Sequence, residues 1–120
     1  MKTFTMTRSD ELTQLCENIR DLVSHRDFEH CTELLCGAMA DYPSAPQPHN
    51  LMGIVLEKTG NHPAAMKHFR AAWALDPTYV PANRNLERYG TFHSGIKEAY
   101  DECDCFAQER RSGSGKETVR

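Results

Sequence analysis

Thiols, imidazoles and guanidinium groups are the side chains of this sequence that could do chemistry, and their spacing limits what they can do. The arrangement closest to a metal site is Cys103-Asp104-Cys105, with His93 upstream. Paired thiolates suit soft metal ions. On a helix, however, positions i and i+2 point about 200° apart, so both sulfurs could face one ion only if the chain unwinds. Cys103 also falls on the apolar stripe of a predicted helix, where cysteine behaves as a small hydrophobe. The expectation is no metal and no cofactor, with a metal- or thiol-dependent use of Cys103 and Cys105, including a thiol-linked dimer through Cys105, as the lesser alternative. Six histidines (His25, His30, His49, His62, His68 and His93) are scattered, mainly at predicted turns and helix ends, where they cap or face water. The sequence has no Gly-rich phosphate loop, no HExxH and no nucleophile elbow. A non-enzymatic protein is expected.

Composition narrows the class. A chain of 120 residues can bury a real core as one domain. Its 39% apolar and 26% charged content is that of a folded, water-exposed protein rather than a disordered one. Fourteen basic against seventeen acidic residues leave a net charge of −3, which does not suit a nucleic-acid binder. No apolar run has the length of a membrane span, and the first residues, MKTFTMTRSDEL, lack the apolar core of a signal peptide. A cytoplasmic location is expected, and with it reduced thiols, since the five cysteines include no CxxC pair.

The elements that would position these groups are helices. Residues 1–8 read as a loosely held arm. Thr7 or Ser9 can cap a first helix, with Asp10 and Glu11 well placed in its first turn. Leu12, Leu15, Ile19, Leu22 and Val23 then form an apolar stripe at helical spacing. After a turn at Ser24-His25-Arg26, a second helix over about 27–41 carries Phe28, Cys31, Leu34, Leu35, Ala38 and Met39. Helices follow over about 46–59 and 62–75. Gly60-Asn61 separates them, because both residues accept left-handed backbone. Asp76-Pro77 ends the second of them, since proline cannot continue a helix. Gly53, inside a helix at a cost of about 0.5–1 kcal/mol, is explained if another backbone comes close there, with Ala65 and Ala72 of the partner helix as small surfaces flanking one large knob, Phe69. A helix from Val80 to Tyr89 and a last one from Ser94 to about Arg110 complete the pattern, the latter with Ile96, Ala99, Tyr100, Cys103 and Phe106 on its apolar face. Residues 111–120 read as a flexible polar tail.

Met52, Gly53, Leu56, Ala65, Phe69, Ala72 and Pro77 together resemble the tetratricopeptide repeat (TPR), a helix–turn–helix of about 34 residues with the signature W-x2-L-G-x2-Y, A-x3-F, P. Met52 and Leu56 are apolar stand-ins, and His49 departs from the aromatic preferred at its slot. One period earlier lie Cys31, Leu35, Ala38 and Pro43, and one period later Ala99, Cys103 and Phe106. The resemblance implies an all-α solenoid of antiparallel hairpins. Two repeats, about 12–45 and 46–79, would be followed over 80–110 by a degenerate third repeat or a capping hairpin. Ile19, at the slot of Gly53, should hold the first pair of helices slightly further apart.

The resemblance also implies a protein-interaction module, an adaptor or assembly chaperone that binds a peptide or protein segment in a concave groove. Groove positions would be Thr13, Cys16, Arg20 and Val23, then Gln47, Asn50, Ile54 and Glu57, then Pro81, Arg84 and Arg88. Three arginines and Asn50 flanking Ile54 would suit an extended segment with an acidic group, since the guanidinium fork grips carboxylates. The carboxylate-clamp members of the family use Lys and Asn, then Asn, then Lys and Arg. The corresponding Cys16, Arg20, Leu51, Pro81 and Asn85 do not reproduce that set. The alternative partner is a second copy of the chain, in a homodimer through exposed solenoid ends.

Overall fold

The computed structural model describes residues 7–90, 98–102, 104 and 105. Within them the protein is all-α: α1 (Arg8–Ser24), α2 (Phe28–Asp41), α3 (Gln47–Lys58), α4 (His62–Leu75) and α5 (Val80–Gly90). Most of the predicted arm (residues 1–6), the tail (111–120) and His93 and Cys103 lie outside the described residues. Thr7 and Arg8, assigned above to the arm, belong to α1: Thr7 is its N-cap, in a reciprocal capping box with Asp10.

Each helix end has a local cause. Asp27 and Asn61 cap α2 and α4 by accepting the backbone N–H of His30 and Ala64. Gly60 supplies the left-handed residue after α3 at φ 92°, and Arg26 does the same between α1 and α2 at φ 58°. Asp76 ends α4 in extended backbone, ahead of Pro77.

Consecutive helices pack as neighbours, and α3 also touches α1 and α5. So α3 is the central helix, touched by all four others. The core joins Cys16, Ile19 and Val23 of α1, Cys31 and Leu35 of α2, Leu51, Met52, Ile54 and Val55 of α3, and Ala65, Met66 and Phe69 of α4. Phe69 is fully buried and stacks on Tyr89 of α5, ring centroids 5.7 Å apart. Gly53 makes room for that ring: a Cβ there would sit 2.4 Å from Phe69 Cε1. The close neighbour is thus an aromatic ring rather than a backbone. Helices α3 and α4 are accordingly in more intimate contact than α1 and α2, where Ile19 stands.

The last predicted helix requires a correction. Residues 98–101 are not helical, and among the described residues of that stretch helical geometry is found at Glu102, Asp104 and Cys105. Ala99 and Tyr100 are buried, as their apolar character requires, but in an irregular segment laid across α1, α3 and α5.

Candidate functional site

The face formed by α1, α3 and α5 carries a closed set of polar contacts around that segment. At its centre are two fully buried asparagines, Asn50 of α3 and Asn85 of α5. Asn85 engages the backbone of Ala99 at two points: its Oδ1 accepts the Ala99 N–H and its Nδ2 donates to the Ala99 carbonyl, each at 2.8 Å. The Asn50 amide donates to the same carbonyl at 2.9 Å, and its Oδ1 accepts a second Asn85 N–H at 2.8 Å. Both amide orientations follow from this, because the Ala99 N–H can meet only an oxygen. A buried amide left without partners costs about 1–3 kcal/mol, and the backbone of Ala99, which lies in no helix, meets that need.

The acidic side chains of the segment are held from three elements. Arg20 of α1 grips Asp104 with both terminal nitrogens, at 3.0 and 3.1 Å, and its guanidinium also lies 4.9 Å from the centre of the Tyr100 ring. Asp104 in turn accepts the backbone N–H groups of Tyr100 and Asp101, which shapes the bend. Lys58 of α3 pairs with Glu98 at 3.1 Å, and the Tyr89 hydroxyl donates to the same carboxylate. Tyr79, just before α5, donates to Asp101 at 3.2 Å. Burial, reinforced by these carboxylates, raises the pKa of the Tyr79 and Tyr89 phenols, which keeps them protonated as donors. Burial likewise pushes Tyr100 up to about 12, with Glu98 adding to the effect.

Of the positions expected in the groove, the structure brings together Arg20 and Asn50 at this segment. Cys16 is buried and Ile54 is fully so, both within the core. Thr13 is exposed on α1, and Gln47 is half-buried at the start of α3. Glu57 is drawn to the α3–α4 turn, where it pairs with His62. Arg84 and Arg88 are half-buried on α5, the latter with its guanidinium 5.0 Å from the Tyr89 ring centre. Asn85, Tyr79, Lys58 and Tyr89 were not expected in the groove. The available signal was an asparagine on each of two helices, at positions where the apolar pattern calls for a hydrophobe.

No group of three or more His, Cys, Asp or Glu side chains is arranged to hold a metal among the described residues. Asp104, the middle member of the Cys-Asp-Cys run, is committed to Arg20, and Cys105 is buried. His49 and His68 form a stacked pair between α3 and α4, with their Nδ1 atoms 3.1 Å apart. Burial lowers the pKa of both, and the charge of His49 lowers that of His68 further. No helix of the described residues is long and apolar enough to cross a membrane. Compared with models of protein families, with curated proteins and with solved structures, the chain matches none.

Proposed function

We propose that the protein is a non-catalytic TPR-type interaction module, an adaptor or assembly chaperone of the cytoplasm, whose α1–α3–α5 face binds an extended acidic segment of another protein. The observation that carries this reading is the two-point grip of Asn85 on a backbone amide, flanked by the Arg20 fork on a carboxylate. The first reads an extended chain whatever its side chains, and the second reads charge. Hairpins stacked as a solenoid would present these groups ready-placed, so little ordering is needed on the receptor side.

The test is fluorescence anisotropy of the full chain with labelled acidic and basic octapeptides. The acidic peptide should bind and the basic one should not. Arg20→Glu combined with Lys58→Glu, which reverses the two cations that meet carboxylates on this face, should abolish binding while helicity is kept. Retained binding by the folded double variant would refute the assignment of the face.

A homodimer is the second reading. A cleft of about 380 Å³ opens beside α1 and α2, lined in part by Leu15, Leu34, Ala38 and Tyr42. Its rim also carries Glu11, Glu33 and Asp41, so two copies meeting there would bring like charges together, which favours the adaptor reading.

A further inference from the structure

We infer that Glu98 to Glu102 with Asp104 and Cys105 are a resident competitor: this acidic stretch of the chain occupies the α1–α3–α5 face, and a partner segment of the same chemistry binds by displacing it. The partner is a segment in the register acidic, small, aromatic, acidic, two residues, acidic, as set by Glu98, Ala99, Tyr100, Asp101 and Asp104, with the bend that the Asp104 carboxylate closes on the Tyr100 and Asp101 N–H groups. This rests on reading that face as peptide-binding, and it adds what the ligand looks like and how access to the face is controlled.

The contacts are those of a ligand rather than of a core element. Among the segment's described residues only Tyr100 joins the main buried cluster, whose other members come from α1 to α4. What holds the segment is polar and addressed position by position: Lys58 and Tyr89 on Glu98, both asparagines on the Ala99 backbone, Tyr79 on Asp101, Arg20 on Asp104. The small residue is required where the chain passes over the asparagines, since Ala99 is only 1% exposed. A displacing segment of the same chemistry would offer Asn50 and Asn85 the same backbone N–H and carbonyl, so the exchange leaves neither buried amide without a partner. Being part of the same chain, the segment competes at high effective concentration. A free peptide therefore binds with an affinity lowered by the fraction of molecules in which the face is open.

The experiment uses the full chain and a labelled peptide of sequence EAYDESDS, which keeps the segment's register and replaces its thiols by serine. Glu98→Lys with Asp104→Lys weakens the resident segment without touching the face, and this variant should bind the peptide about tenfold tighter than the unaltered chain or better. A peptide of the same composition in permuted order should not bind. In the unaltered chain, saturating peptide should speed alkylation of Cys105, which is 2% exposed at rest, followed residue by residue by mass spectrometry. This second measurement needs no substitution and decides the matter if the double variant fails to fold. Equal affinities, or bound peptide that leaves Cys105 protected, would overturn the displacement. Equal binding of the permuted peptide would overturn the register. No binding by either chain would remove the reading of the face itself.

Discussion

Gly53→Ala and Gly37→Ala are the same substitution inside two helices of one protein, and they should change stability in opposite directions. Alanine is favoured over glycine in a helix interior by about 0.8–1 kcal/mol. A methyl at Gly37 meets nothing within 4 Å, so it should deliver that gain. At Gly53 the new methyl would lie 2.4 Å from Phe69 Cε1 and 2.7 Å from Cδ1 and Cζ. Carbon atoms prefer a separation of about 3.5–4.0 Å, so the ring must retreat by about 1 Å or more. It has nowhere free to go, being fully buried and stacked on Tyr89. Overpacking of this kind costs about 1–3 kcal/mol, which outweighs the propensity gain over most of that range. The gap between the two variants isolates the packing cost. For a chain of this size about 1 kcal/mol moves the melting temperature by about 4 °C. Thermal and urea unfolding of both variants beside the parent would show the gap. Equal stabilisation by the two substitutions would mean that the space beside Gly53 is open, and the account of the α3–α4 contact would fail.

Two further predictions concern pH and a turn. Burial holds the folded-state pKa of His49 and His68 below the usual imidazole value. The unfolded chain therefore takes up these protons first, and stability should fall as pH drops below about 6.5 toward the depressed folded values. Replacing both by glutamine should flatten that part of the profile, read as urea midpoints across a pH series; an identical slope in parent and variant would exclude the pair as its source. Gly60→Ala should destabilise by about 1–2 kcal/mol, since φ there is 92° and the strain is steric rather than a matter of space. Calorimetry would check it, and an unchanged melting temperature would count against a strained turn.

Local physics was enough to read the helices from the chain. Thr7, Asp27 and Asn61 carry side chains that satisfy a first-turn N–H, Gly60 can adopt left-handed backbone, and Asp76-Pro77 cannot extend a helix, so α1 to α5 begin and end within a residue or two of expectation. A close neighbour at Gly53 was legible for the same reason, but the expectation of a backbone gave way to the Phe69 ring, because a missing Cβ marks a lack of space without saying what fills it. Glu57 was misplaced because nothing along the chain marks its attraction to His62, which arises only when the turn closes. The segment over 98–101 was misread for a deeper reason. Ala99 and Tyr100 are apolar enough for either a helix or a buried extended stretch, and helical spacing cannot tell these apart. What separates them is Asn50 and Asn85, on two other elements, whose amides are buried and need a backbone N–H and carbonyl that no helix has taken up. A helix over the same residues would turn its own carbonyl and N–H groups inward and offer those amides nothing. Local propensity therefore set the five rods, while the site was decided by hydrogen-bonding demands that exist only once the rods stand side by side.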